Sequence, residues 1–434
     1  METLTPENSA RRKAFFVLAG ILFLRLISMG CLALSDPTEA RYAQISLRMS
    51  RTGDFIMPWI DVEGRLIPYW GKPPLHFWLT SASYRLLGAS EWSARLPSYL
   101  AGLLMVWLTW RFAKHFWNER IAGWSTAILA SSGLFFFVCG ASAIDATLSA
   151  AVTGAMVSFA FATSLPREDG AFRWGLLFFV FLAAGMMIKG PVAVALVVLS
   201  IVLWLLLTKQ RSLLQKIPWT PGTLLFLLLS VPWFVLAEMK TPGFLRYFFI
   251  NEHILRYLVH DYGDRYGSGH MYPRGTSWGM LLLTFLPWSV FLVSAVMRRG
   301  RTLLQDAAKH IWSSYSVIWG LTPALFFMLS RQLLATYVLP GFAGLSVAVA
   351  LELTQLKSDR IRAAVPVAAL ILAILFTVAT FALQPVVDDR VSAKGIIRFA
   401  AADSQYAQDP IVFPYEQSIR RNFMKPRCAT GRFR

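Results

Sequence analysis

Charge is scarce in this chain: 15% of its 434 residues are Asp, Glu, Lys or Arg, against about 25% in a soluble globular protein. Because 56% of the residues are hydrophobic and the mean hydropathy is +0.51, that scarcity argues against a soluble enzyme. Cysteine is nearly missing. Cys31, Cys139 and Cys428 are widely spaced, which gives neither a metal-ligand pattern nor a disulfide framework and leaves the redox compartment open. The histidines His76, His115, His253, His260, His270 and His310 contain no HxxxH or HExxH pair. Spacing therefore assigns no metal site, although Glu252-His253 leaves a divalent ion open. There is no P-loop and no dinucleotide fingerprint, so no cofactor is assigned and nothing identifies a nucleotide site.

Long apolar runs are present instead. About 20 mostly apolar residues are needed to cross roughly 30 Å of hydrocarbon as a helix, because lipid leaves no backbone group a partner outside the helix. Eleven stretches qualify: 14 to 34, 96 to 113, 121 to 140, 145 to 165, 173 to 188, 191 to 208, 219 to 238, 276 to 297, 311 to 329, 333 to 352 and 363 to 384. The expected fold class is an all-α polytopic membrane protein of 11 to 13 spans.

The net charge of +18, from 42 Lys and Arg against 24 Asp and Glu, suggests a nucleic-acid partner only until the charges are sorted by loop. The first run follows Arg11, Arg12 and Lys13, is long for a signal peptide and lacks a clear cleavage site, so it reads as a retained anchor. With the amino terminus in the cytoplasm, the short loops around Arg111/Lys114/Arg120, Arg167/Arg173, Lys209/Arg211/Lys216, Arg298/Arg299/Arg301/Lys309 and Lys357/Arg360/Arg362 share that side. This is the positive-inside pattern, and it assigns most of the surplus charge to topology, with no nucleic acid required.

The other side carries two long loops, 35 to 95 and 240 to 275, and the segment from 386 to 434. Long loops in compact domains usually carry function. Trp59, Trp70, Phe77, Trp78 and Trp92 among charges in the first, and aromatic and charged residues at helical spacing over 244 to 258 in the second, read as amphipathic helices along the outer membrane surface. The tail, with a helix expected at 392 to 402 and a strand-like run at 411 to 413, reads as the start of a small soluble domain that stops early. The chain thus divides into a transmembrane domain, 1 to 385, and a short outer carboxy-terminal segment, 386 to 434.

Chemistry concentrates on that outer side. Asp36 and Glu39 follow the first span, three residues apart and able to share a helical face, where desolvation makes a usable base. A capping arrangement, with Pro37 at the first helical position, explains the same residues. Lys72, fixed by Pro73 and Pro74, is a phosphate ligand or an interfacial lysine beside Trp70. Asp145, Lys189 and Arg331 lie in short outer turns, where ionisable groups are costly and suggest function, with snorkelling as the alternative. Lys72, Lys189 and Arg331 together would suit a phosphate, with Asp36, Glu39 or Asp145 supplying a carboxylate.

An ordered series of motifs then resembles a known family. Asp36-Pro37-Thr38-Glu39-Ala40-Arg41-Tyr42-Ala43, Gly53-Asp54-Phe55 with Pro58, Lys72-Pro73-Pro74-Leu75 with Trp78, and Gly88 with Ala94-Arg95-Leu96-Pro97 look like the opening of bacterial GT-C glycosyltransferases. The resemblance is to the undecaprenyl-phosphate aminoarabinose transferases of lipid A and, more distantly, to protein O-mannosyltransferases. It continues through Asp145, Lys189-Gly190, Pro232-Trp233, Tyr247-Phe248-Phe249, Glu252-His253, Arg256, Leu286-Pro287-Trp288, Thr336-Tyr337 and Pro340. It implies a GT-C fold with juxtamembrane helices, a catalytic carboxylate in the first outer loop (Asp36 or Glu39) and a phosphate surface containing Lys72. Arg41, Tyr42, Asp145, Glu252, His253 and Tyr337 are the further cavity positions.

Two departures stand out. Thr38 replaces the acidic neighbour that commonly precedes the second carboxylate, and Gly71 replaces a Glu that often precedes the Lys-Pro motif, removing one metal ligand.

The expected function is sugar transfer from a polyprenyl phosphate to lipid A, another envelope glycolipid or a protein, at the periplasmic face of the bacterial inner membrane. A flippase for polyprenyl-linked sugars is the rival from another class, and a non-catalytic assembly protein is a third reading. Alternating access predicts a midplane site and internal repeats, whereas here the candidate groups lie on one face and no repeat is evident.

Overall fold

Each apolar run pairs its own backbone groups by folding as a helix, and the basic turns between the runs set alternate directions. A computed structural model describes residues 6–35, 38–62, 65–259, 266, 270–305, 307–356 and 358–390. The helices are α1 (Pro6–Ser28), α2 (Thr38–Thr52), α3 (Leu75–Leu87), α4 (Glu91–Phe116), α5 (Glu119–Ser131), α6 (Gly133–Val138), α7 (Ile144–Ser164), α8 (Phe172–Lys189), α9 (Pro191–Thr208) and α10 (Trp219–Lys240). They continue with α11 (Phe244–Arg246), a π-helical stretch Tyr247–Leu255, α12 (Arg256–Leu258), α13 (Thr276–Thr284), α14 (Ser289–Gln305), α15 (Ile311–Phe326), a 3-10 turn Ala335–Gly341, α16 (Phe342–Thr354) and α17 (Asp359–Arg390).

All eleven expected runs are helical, yet among the described residues seven helices are long and apolar enough to cross a bilayer, or eight counting one bent pair. That pair corrects the expected span at 276 to 297: Thr276–Thr284 and Ser289–Met297 meet at 119°, with Pro287 at the break, where a missing N–H cannot continue a helix. The run at 121 to 140 divides into α5 and α6 at Ser132, whose backbone is extended. In α4 the first turns carry Glu91 and the buried Arg95.

The core forms around α7, whose apolar stretch is entirely buried, as expected for a helix that is apolar all round. Its small residues allow neighbours to approach closely: a Cβ on Gly154 would lie 2.4 Å from the Phe181 ring of α8.

The first outer loop is only partly helical. α2 and α3 are the expected surface helices, but between them lies an antiparallel hairpin, β1 (Trp59–Val62) with β2 (Arg65–Pro68), pairing Trp59 with Pro68 and Ile60 with Ile67. Tyr266 ties down its far end: the hydroxyl donates to the Pro68 carbonyl at 2.7 Å and accepts from the Trp70 N–H at 2.9 Å. The second outer loop is helical from Phe244 to Leu258, with Phe244 and Phe248 fully buried against Trp233 and Phe234. The carboxy-terminal readings, 392 to 402 and 411 to 413, lie outside the described residues.

Candidate functional site

The chain reverses at each turn, so the end of α1, the starts of α4 and α7, the α8–α9 turn, the end of α10 and the start of the 335–341 turn share one end of the bundle, opposite the basic loops. Nearly all the sequence-derived site residues fall at that end. Asp36 lies outside the described residues.

Glu39 is the most constrained of them. Its carboxylate takes a bidentate pair from Arg95, at 2.7 and 3.0 Å, and accepts from the Ser35 N–H, the Ser35 hydroxyl and the Ser142 N–H. The reach back to the preceding loop is to Ser35; the capping expectation for Asp36 lies outside the described residues. Arg95 gives its remaining N–H groups to the carbonyls of Met29, Leu32 and Ala33, which uses all five guanidinium donors. Burial opposes ionisation of Glu39, but Arg95 and the two backbone N–H groups outweigh it and hold the carboxyl below its usual range. With five donors on two oxygens, Glu39 has no lone pair left for an acceptor. Its geometry is that of an anchor joining α2, α4 and the segment before α7.

Lys72 and Lys189 come together through the π-helical stretch of the second outer loop. Glu252 accepts from Lys72 at 2.5 Å and from Arg256, one turn on, at 2.8 Å, while the next residue, His253, contacts the Lys189 carbonyl through Nε2 at 3.1 Å. π-Helical turns often occur at functional sites, and this one sends adjacent side chains to two different segments. Burial opposes the Lys72 charge, but Glu252 outweighs it and raises the ammonium above its ordinary range. Burial likewise opposes the Glu252 charge, and Lys72 with Arg256 outweighs it in turn, holding that carboxyl low. Arg256 also donates to Gln332 at 2.9 Å.

Lys189 does not snorkel. It turns inward to form an ion pair with Asp145, whose other oxygen accepts from Thr336 at 2.7 Å, and its ammonium lies 4.1 Å from the centre of the Tyr337 ring. The glycine after it is required: Gly190 has φ of 79°, and a Cβ there would lie 2.5 Å from Phe248 and 3.0 Å from His253. Lys72, Lys189 and Arg256 thus converge on two carboxylates, Glu252 and Asp145. An ammonium has three donors. Lys72 spends two, on Gly71 and Glu252, and Lys189 spends one hydrogen bond, on Asp145.

The other expected residues divide. Tyr42 is buried edge-on to His76 and Phe77, at 6.2 and 5.6 Å between ring centres. Arg41 donates to the Tyr266 carbonyl at 3.3 Å. Arg331 stands beside Gln332, and its carbonyl accepts from the Tyr272 N–H at 2.8 Å; its side chain is not among the ion pairs that build the cluster. For a metal the residues present do not fit: among the described residues no three His, Cys, Asp or Glu side chains converge. At 71 there is no side chain to offer a ligand, and both His253 nitrogens lie against carbonyl oxygens, Phe248 at 2.7 Å and Lys189. Sequence reasoning assigned no role to Arg95, Arg256, Gln332, Thr336 or Tyr266. The signal for Arg95 was its place in the Ala94-Arg95-Leu96-Pro97 motif at the edge of an apolar run; Tyr266 gave none.

Residues 71–235 match a family model described as dolichyl-phosphate-mannose-protein mannosyltransferase. The chain is 30% identical over 344 residues to the undecaprenyl phosphate-alpha-4-amino-4-deoxy-L-arabinose arabinosyl transferase of Aeromonas hydrophila, covering 78% of this chain and 59% of that protein. To the enzyme of the same name from Erwinia tasmaniensis it is 31% identical over 333 residues, covering 75% and 56%. It therefore spans less than three fifths of the length of these two relatives. Among solved structures, ArnT from Cupriavidus metallidurans bound to undecaprenyl phosphate aligns with a TM-score of 0.79 at 21% identity, over 93% of this chain and 84% of that one. The archaeal oligosaccharyltransferase AglB from Archaeoglobus fulgidus, in complex with an inhibitory peptide and a dolichol-phosphate, aligns at 0.51 and 13% identity, over 93% and 62%. The chain is thus a multi-span membrane protein with the GT-C fold, similar in sequence to the aminoarabinose transferases.

Proposed function

We propose that this chain is a membrane-embedded inverting glycosyltransferase that moves a sugar from an undecaprenyl-type polyprenyl phosphate to an envelope glycolipid, with lipid A as the leading acceptor. The observation that carries this reading is the convergence of Lys72 and Lys189, with Arg256, around Glu252 and Asp145, each lysine keeping, among the described residues, at least one ammonium N–H outside its hydrogen bonds. Such a site suits one lipid-borne phosphate. The names of its relatives, which specify undecaprenyl phosphate aminoarabinose, support that donor class. The basic loops at the opposite end of the bundle support a cytoplasmic amino terminus and a periplasmic site on the inner membrane.

In this reaction the acceptor hydroxyl attacks the anomeric carbon and loses its proton to a carboxylate. The bond from that carbon to the phosphate oxygen breaks, and its electron pair leaves with the polyprenyl phosphate, which Lys72 and Lys189 stabilise as it departs. Glu39 is saturated by five donors, so the role of base falls to Asp36, its neighbour in the first outer loop. The family match over 71–235 favours a protein hydroxyl as the alternative acceptor.

The test is transfer by the purified chain from labelled undecaprenyl phosphate aminoarabinose to lipid A. Asp36→Asn is expected to lower turnover about 10²–10⁴-fold, and Lys72→Ala to weaken binding of undecaprenyl phosphate about 10- to 100-fold. Full activity of both variants, or no turnover by the purified wild-type chain, refutes the assignment.

A further inference from the structure

His76 is the second residue of α3, four residues after Lys72, and is fully buried. Its Nδ1 lies 3.3 Å from the Thr147 hydroxyl. That hydroxyl gives its single hydrogen to the Ile144 carbonyl at 2.8 Å, so toward the imidazole it can only accept. Nδ1 therefore carries the proton and Nε2 carries the lone pair. Burial pushes His76 down to about 4, against the opposing pull of Asp145, so the ring is neutral near pH 7 and Nε2 is a pure acceptor.

Among the described residues Nε2 is buried with no hydrogen-bond partner. An unpaired buried acceptor is costly and uncommon in a native fold. The imidazole is tied to the site by its neighbours: the Tyr42 ring stands edge-on with ring centres 6.2 Å apart, and the Asp145 that pairs with Lys189 is close enough to act on it. What Nε2 lacks is a donor, and a hydroxyl is one that a neutral imidazole can accept from.

We propose that His76 is a positioning residue whose Nε2 accepts a hydrogen bond from a hydroxyl of the sugar carried on the lipid phosphate. This rests on the glycosyltransferase reading above. The residue then serves sugar recognition, separately from the lysines that face the phosphate.

The experiment compares the affinity of the purified full chain in detergent for undecaprenyl phosphate aminoarabinose and for bare undecaprenyl phosphate. His76→Asn keeps a donor toward Thr147 but removes the acceptor at Nε2; His76→Gln places an amide oxygen near the Nε2 position. His76→Asn is expected to cut the preference for the sugar-bearing lipid about tenfold, the worth of one such hydrogen bond, with unchanged affinity for the bare lipid. His76→Gln should restore much of it. Thr147→Val, which frees the tautomer and leaves His76 in place, should shift the preference in the same direction and serves if His76 variants fail to fold.

An unchanged preference in the variants means that an ordered water is the partner of Nε2, and overturns the proposal. A parallel loss for both lipids means that His76 acts through packing alone, and overturns it too. Lys72→Ala separates the two readings: if it binds both lipids as the wild type does, the phosphate assignment fails whatever the His76 variants show.

Discussion

Glu39→Gln tests whether the carboxylate in the first outer loop is an anchor or a base. Arg95 is 3% exposed and Glu39 7%, and all five guanidinium donors are used, two of them on Glu39. The amide would leave the guanidinium with no opposite charge and point an NH2 at donors that already converge there. Removing one partner of a buried pair costs about 3–5 kcal/mol, a large fraction of a typical stability of about 5–15 kcal/mol. Thermal unfolding in detergent, followed by circular dichroism, should therefore show Glu39→Gln strongly destabilised. Arg95→Met combined with Glu39→Leu strands no charge but takes these partners from the Met29, Leu32 and Ala33 carbonyls and the Ser35 and Ser142 N–H groups, so it should not restore wild-type stability. Binding of undecaprenyl phosphate by the folded fraction of Glu39→Gln should stay near wild type. A Glu39→Gln protein that unfolds at the wild-type temperature yet transfers sugar more than about 100-fold more slowly, the lower range for general-base loss, would refute the reasoning and return the proton-accepting role to Glu39.

Two further outcomes follow from the same geometry. Glu39 and Glu252 are held below the ordinary carboxyl range, so their stabilisation is present above the unfolded value of about 4.3 and is lost as pH falls through the depressed folded values. The unfolding temperature should begin to decline below about pH 6.5, where unfolding lets the buried His76, held down to about 4, take up its proton, and fall further below about 4 as the carboxylates protonate; Glu252→Gln should flatten the limb below about 4, and an unchanged slope there would refute the claim for Glu252. Gly190→Ala should lower both the unfolding temperature and undecaprenyl phosphate binding, since φ of 79° with ψ of −153° is glycine territory and the new Cβ would strike Phe248, a strain of about 1–3 kcal/mol before the clash. Gly170→Ala is the control, with φ of 92° and open space around it; equal behaviour of the two variants would show that contact with Phe248 and His253 contributes nothing.

Much of the membrane domain was legible in the apolar runs, because a helix that supplies its own hydrogen bonds needs no distant partner to be recognised. The reading faltered where that independence ends. α5 and α6 break at Ser132, α13 and α14 bend at Pro287, and the hairpin of β1 and β2 is anchored by Tyr266, about 200 residues away in sequence. Charges in unfavourable places drew attention to Lys189 and Asp145, but their pairing joins α7 to α8, and spacing alone does not fix a partner 44 residues away.

By itself, the sequence determined a low-charge chain of alternating apolar helices with its basic loops on one side, since hydrophobic length and loop charge act segment by segment. The tertiary structure decided what the individual polar groups do. Glu39 and Asp36 look equivalent in the chain, yet packing closes five donors around Glu39. Lys72 and Lys189 are linked through Glu252 and His253, adjacent on a π-helical turn, which contact both of their segments. Buried charges and acceptors take their roles from the partners that folding brings within about 3 Å, and those partners come from distant parts of the chain.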